Sequence, residues 1–233
     1  MTLAHKLSEL RSSDLWVRLH KLKRRVSLWR KPTAQIFDEI YHNDVWDDDE
    51  SISGHGSRLD RTTKIRAALP SLLSKYECRS LLDIPCGDFN WMRTLALEVE
   101  YIGADIVGDL IEHNQEKYAD AHRKFVKQDL LRDPLPAVSL ILCRDCLVHF
   151  SNADVVTALK NIKASGSKYL LTTTFPEYHR NESIVTGEWR PINLCRHPFN
   201  LPSPLELLDD TFDAPIYREK YLGLWEIAAL PAY

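Results

Sequence analysis

From residue 80 onward, short apolar runs alternate with stretches of helical spacing, a pattern that few folds accept. Residues 80–84 (SLLDI), 101–106 (YIGADI), 125–128, 140–143 (LILC) and 169–173 (YLLTT) each read as a buried strand. Helical spacing falls between them over 90–98, 109–122 and 153–164. Strands separated by helices cross over right-handedly into a parallel sheet covered on both faces. Residues 223–230 (GLWEIAAL) read as a last strand, and residues 61–76 as a helix ahead of the first. The expectation is an α/β chain built on a Rossmann-like sheet.

A chain of 233 residues suits one such domain, with 44% hydrophobic and 27% charged residues ruling out wholesale disorder. The net charge of -3 argues against a nucleic-acid binder. The charge is unevenly spread. Residues 1–31 hold nine Lys/Arg against Glu9 and Asp14, about +7, which leaves about -10 for the remainder. Leu15, Leu19, Leu22, Val26 and Trp29 recur at spacings of four, three, four and three, so residues 3–30 read as a basic amphipathic helix ended by Pro32. Its stripe has two expected partners: an anionic membrane surface, or the chain itself and a second copy in a homodimer. Residues 32–233 form the single remaining domain, with residues 175–204 and their five prolines as an ordered substrate cap.

Five cysteines and no secretory leader favour reduced thiols and a cytoplasmic setting, in solution or at the inner membrane surface. The C-x-x-C of Cys143 and Cys146 lies in an apolar run with no second half, so no metal is expected. The acidic run 47–50 reads as a solvated loop.

In open parallel sheets, ligands bind beyond the carboxyl ends of the strands, where strand order reverses. Each chemically suggestive residue falls at such an end. Asp83 opens the turn D-I-P-C-G-D, Asp105 ends the second run 22 positions later, Asp129 follows the third, and Arg144-Asp145 follow the fourth. A spacing near twenty suits an acid that holds ribose hydroxyls. The first turn has one glycine where a diphosphate would need several. One glycine flanked by acids suits a ligand with ribose and adenine but no phosphate, and the positive charges of S-adenosylmethionine (SAM) tolerate carboxylates that would repel NAD.

These pieces together resemble a class I SAM-dependent methyltransferase over residues 53–230. They are LLDIPCGDFNWM, YIGADIV, KQDLL and LILCRDCLVHF, with S-G-H-G-S upstream at 53–57. The first motif resembles a bacterial type reading DxPCGDFxW. The resemblance implies a seven-stranded, mostly parallel sheet with helices on both faces and an antiparallel final strand. It implies cofactor contacts from Asp83, Pro85, Cys86, Gly87, Asp88 and Trp91 around the first turn. Asp105 would meet the ribose and Asp129 the adenine, with Ile106, Gln128 and Leu130 as further cofactor contacts. Cys143 and Arg144 would line the pocket where substrate and sulfonium meet. The 53–57 stretch is expected to close over the cofactor, with Arg61 or Arg66 meeting its carboxylate.

For chemistry, Asp145 and His149 are the candidate bases, four residues apart after the fourth strand. For the acceptor, Thr174, Trp189, Arg190 and Asn193 mix an aromatic platform with donors, as a saccharide or another small polar molecule would require. Two other functions fit less well: an NAD-dependent enzyme of Rossmann type, and a catalytically silent SAM-binding module.

Overall fold

The structure, a computed structural model, describes residues 25–212, 214 and 217–233. Its sheet has seven strands: β1 Ser80–Asp83, β2 Glu100–Asp105, β3 Arg123–Lys127, β4 Leu140–Cys143, β5 Tyr169–Thr174, β6 Glu206–Asp209 and β7 Tyr221–Glu226. They lie in the order β3-β2-β1-β4-β5-β7-β6. Strands β1 to β5 are parallel, and β7 runs antiparallel to both β5 and β6. The expected Rossmann-like sheet with an antiparallel final strand is therefore present.

Successive residues of each buried strand serve opposite faces. Leu82, Ile141 and Leu170 pack with Val155, Ala158, Leu159 and Ile162 of helix α4 (Asn152–Ala164) on one face. Leu81, Leu140 and Leu171 pack with Ile65, Leu69, Leu72 and Leu73 of helix α2 (Thr63–Lys75) on the other. Each such leucine gains about 1.5–3 kcal/mol from burial. Helix α1 (Thr33–His42) precedes this layer, and α3 (Gly108–Tyr118) links β2 to β3. Helix α4 starts at Ser151, whose Oγ accepts the Asp154 N–H at 3.1 Å.

Three sequence expectations change. Residues 90–98 form only a 3-10 turn at Met92–Thr94. Phe89, Trp91 and Met92 are all buried, so this segment is pressed into the core from several sides and offers no single apolar face. Strand β6 has no counterpart in the sequence pattern: it is four residues long, lies at the sheet edge, and leaves Leu207 exposed. The final strand begins at Tyr221 and gives way to a 3-10 turn at Ile227–Ala229.

Of the proposed amino-terminal helix, most lies outside the described residues, including Leu15, Leu19 and Leu22. Residues 25–29 are helical. Val26 and Trp29 of the predicted stripe are 52% and 72% exposed, while Leu28 sits against Gly187. Among the described residues, no helix is long and apolar enough to cross a membrane.

Candidate active site

A cavity of about 770 Å³ opens at the carboxyl ends of β1, β2 and β4. Its size falls within the ~300–1,000 Å³ of small-molecule sites. It sits where β1 has β2 on one side and β4 on the other, the reversal point of the strand order.

The carboxylates at the strand ends reach this cavity together. Asp105 is buried; its Oδ2 accepts the Gly87 N–H at 3.2 Å and its Oδ1 the Val107 N–H at 3.1 Å. Burial pushes its carboxyl up to about 6 despite those donors. Asp83 accepts the Tyr101 hydroxyl at 2.7 Å, and burial carries it up to about 7. Asp129 accepts the Leu131 N–H at 2.8 Å and also borders the cavity. Gln128, beside it, donates to the Pro134 carbonyl at 2.8 Å.

The first turn is held from two directions. Asn114 on α3 donates to the Gly87 carbonyl at 2.7 Å. Gly87 has φ 55°, and a Cβ there would collide with Ser53 Oγ. That same Oγ accepts the Asp88 N–H at 2.9 Å and donates to Asp88 Oδ1 at 3.3 Å. The S-G-H-G-S loop is thus pinned to the turn, and Asp88 works as its anchor and does not border the cavity. The acidic run before it is an exposed loop, as expected, but two of its side chains are committed. Asp48 accepts backbone N–H groups of Glu50 and Ser51 and pairs with His55 and Arg58. Glu50 accepts from Asn90 at 2.9 Å and from the Leu59 N–H.

Beyond β4 the chain builds a buried quartet of charges. Arg144 holds Asp210 in a two-point contact, Nε–Oδ2 2.9 Å and Nη2–Oδ1 3.0 Å. Lys220 Nζ lies 2.6 Å from Asp145 Oδ2 and 2.9 Å from Asp210 Oδ2. Arg144 Nη1 closes the ring at 3.3 Å from Asp145. Burial alone would raise the Asp145 carboxyl, but Lys220 and Arg144 overcome it and hold it at about 2. A carboxylate so paired is a poor proton acceptor, so Asp145 serves the quartet better than it would serve as a base.

His149 differs. Burial lowers its pKa below the usual imidazole value, so the ring is neutral near pH 7. Its Nδ1 faces the Glu188 carbonyl at 3.1 Å. A proton on Nδ1 makes that hydrogen bond and leaves Nε2 with its lone pair. The backbone that carries the ring is fixed by its neighbours: Gly187 N–H donates to the His149 carbonyl at 2.9 Å, and Arg190 N–H to that of Val148 at 3.1 Å.

Most of the residues anticipated from sequence border this one cavity. From the first turn they are Asp83, Pro85, Cys86, Gly87 and Trp91. From the next two strand ends come Asp105, Ile106, Gln128, Asp129 and Leu130. Arg144, Asp145, His149 and Trp189 complete the set. Others stand elsewhere. Cys143 is fully buried in the core, because strand alternation turns it inward from the rim. Arg66 donates to the Leu59 carbonyl at 2.8 Å and stays on α2, and Arg61 lies over the Phe212 ring, also outside the cavity.

Three of the four expected acceptor contacts are consumed internally. Thr174 Oγ accepts the Leu194 N–H at 3.2 Å. Arg190 donates to the Leu147 carbonyl at 2.9 Å and to Asn152 Oδ1 at 3.0 Å, and burial pulls its guanidinium down to about 10. Asn193 donates to the Pro176 and Tyr178 carbonyls at 2.7 and 2.8 Å. These side chains brace the proline-rich cap.

Sequence reasoning missed Phe37 and Trp46, which bring the amino-terminal region to the cavity, and Tyr217, Lys220 and Asp210. Lys220 carried one signal, a lysine just before the last apolar strand. Nothing in the local pattern marks the others.

Residues 81–165 match the family model described as a methyltransferase domain. No curated protein sequence matches the chain. Among solved structures, the chain is similar to magnesium protoporphyrin IX methyltransferase (ChlM) from Synechocystis PCC 6803, solved with bound SAM. That likeness has a TM-score of 0.55 and 12% identity, over 84% of this chain and 97% of that one. N-methyltransferase NodS from Bradyrhizobium japonicum WM9 aligns with TM-score 0.51 and 14% identity, over 71% and 96%. The CMeT domain of the citrinin polyketide synthase aligns with TM-score 0.52 and 15% identity, over 72% of this chain; the chain spans about half the length of that structure, 52%. The sheet that carries the cavity therefore has the fold of methyltransferase domains.

Proposed function

We propose that the protein is a SAM-dependent methyltransferase acting on a hydroxyl of a small polar molecule. One observation carries this reading: carboxylates from three successive strand ends, Asp83, Asp105 and Asp129, border a single cavity at the reversal point. The residues fit the cofactor. Asp105 spends one hydrogen bond per oxygen on backbone donors, which leaves lone pairs for a ribose diol. The first turn, residues 83–91, carries no lysine or arginine and a single glycine, so it offers a diphosphate neither counter-charge nor a glycine-rich cradle.

When bound, SAM supplies a methyl group on a sulfonium, a good leaving group. The chain's own part is to exclude water, orient the acceptor and take its proton. His149 Nε2 is the group for that proton, since its Nδ1 is committed to Glu188. Trp189 offers a stacking face for a saccharide ring, the acceptor class this reading favours.

Calorimetry with SAM and with NAD tests the cofactor. SAM is expected to bind, NAD is not, and Asp105→Ala should weaken SAM at least about tenfold through loss of a charged acceptor. Binding of NAD in preference, or unchanged affinity in the variant, would refute the assignment.

A further inference from the structure

The half of the cavity beyond His149 is walled by rings in pairs. Trp46 stands 5.7 Å from His149, Trp189 5.7 Å from Tyr217, and Phe37 6.1 Å from Phe150, all bordering the cavity. The charges on this wall are spent on one another. Arg25 pairs with Glu188 at 3.3 Å, and Arg144 and Lys220 are held by Asp145 and Asp210. His55, the remaining basic residue on the rim, pairs with Asp48. Among the described residues of the wall, then, no cation is left for an anionic ligand. A carboxylate or phosphate entering here would lose its water and gain no counter-charge. Two of the wall's acids are committed as well. Glu188 serves Arg25 and accepts the Val185 N–H at 2.9 Å, and Asp145 serves Lys220.

We propose that this half of the cavity binds an uncharged ring carrying a hydroxyl, its faces against the aromatic pairs and its hydroxyl toward His149. The proposal rests on the reading of the other half as the cofactor site. It makes Phe37, Trp46 and Tyr217 binding residues, and the amino-terminal segment part of the active site. Stacking favours ring faces. Both a sugar and a phenol present the required chemistry.

The test uses the full chain saturated with S-adenosylhomocysteine and follows ligand binding by saturation-transfer NMR and tryptophan fluorescence. Phenyl β-D-glucoside is expected to bind at least about tenfold more tightly than phenyl β-D-glucuronide, which differs by one carboxylate. Retention of binding by methyl β-D-glucoside alone identifies the sugar as the ring recognised; retention by phenol alone identifies the aromatic. Trp46→Ala should weaken the glucoside at least about tenfold, the effect of losing one ring from the aromatic wall, while leaving S-adenosylhomocysteine affinity unchanged. Equal or tighter binding of the glucuronide, tighter binding of phenyl 2-amino-2-deoxy-β-D-glucoside, or no binding of either neutral ring to the loaded protein overturns the proposal. Failure of S-adenosylhomocysteine itself to bind overturns the cofactor reading instead.

Discussion

At the scale of single residues, His149 and Asp145 border the same cavity and differ in what their neighbours leave them free to do. His149 is neutral because burial disfavours its charged form. As a base it works deprotonated, so activity should rise with pH through a midpoint below the ordinary imidazole value and stay level above it. The pH profile of kcat/KM checks this, and His149→Ala should abolish that acid limb and cost about 10²–10⁴-fold in rate. A limb that persists in the variant would belong to another group. Asp145 makes the contrasting prediction. Asp210 bonds both cations of the quartet with its carboxylate fully buried, whereas Asp145 is partly open to the cavity. Asp210→Asn should therefore destabilise the protein by about 3–5 kcal/mol, the cost of stranding a buried charge. Asp145→Asn should cost clearly less, because Asp210 still holds Arg144 and Lys220. Urea denaturation of the two variants orders them.

Among elements, the local pattern was most legible where burial is two-sided and least where packing overrides periodicity. The runs at 80–84 and 140–143 announce β1 and β4 because nearly every residue of these two strands is buried, whichever face of the sheet it serves. Strand β6 carries no such signal, since Leu207 is exposed and Glu206 and Asp209 are bound from α2 by Lys75 and Lys64. The 53–57 stretch shows a further limit. Its glycines predict a loop, but only the fold reveals that Ser53 seats in the space Gly87 leaves. Gly87→Ala should then act twice: the left-handed backbone costs roughly 1–2 kcal/mol in an alanine, and the added methyl displaces Ser53. The expected outcome is a lower Tm together with weaker SAM binding, and Ser53→Ala in the same chain should recover part of the binding. Recovery to no degree would mean that the backbone strain alone is responsible.

Over the whole molecule, the sequence made the reversal point and its acids visible, because strand ends and acidic residues are both local features. It could not show which polar side chains the cap would consume, since Arg190 and Asn193 look the same in sequence whether they face a ligand or a backbone carbonyl. The buried acids that it did reveal set how the fold responds to pH. Asp145 is held at about 2, below its unfolded value, so its contribution to stability is present above the ordinary carboxylate range and is lost as pH falls toward 2. Asp83 and Asp105 have the opposite sign. Their folded values are raised to about 7 and about 6, so the folded state holds protons that the unfolded chain has released. The protection they lend is fully present below the unfolded value near 4 and is lost as pH rises through 6 and 7, at about 1.36 kcal/mol for each pH unit between the unfolded and folded values. Asp83→Asn keeps an oxygen for the Tyr101 hydroxyl and removes the charge that burial opposes. In urea denaturation its stability relative to the parent chain should therefore climb steadily between pH 5 and pH 8, by about 1.36 kcal/mol per pH unit until the parent's carboxyl is fully ionised. A stability difference that stays flat across that range would mean that Asp83 is already ionised in the fold, with its charge met by a partner other than Tyr101.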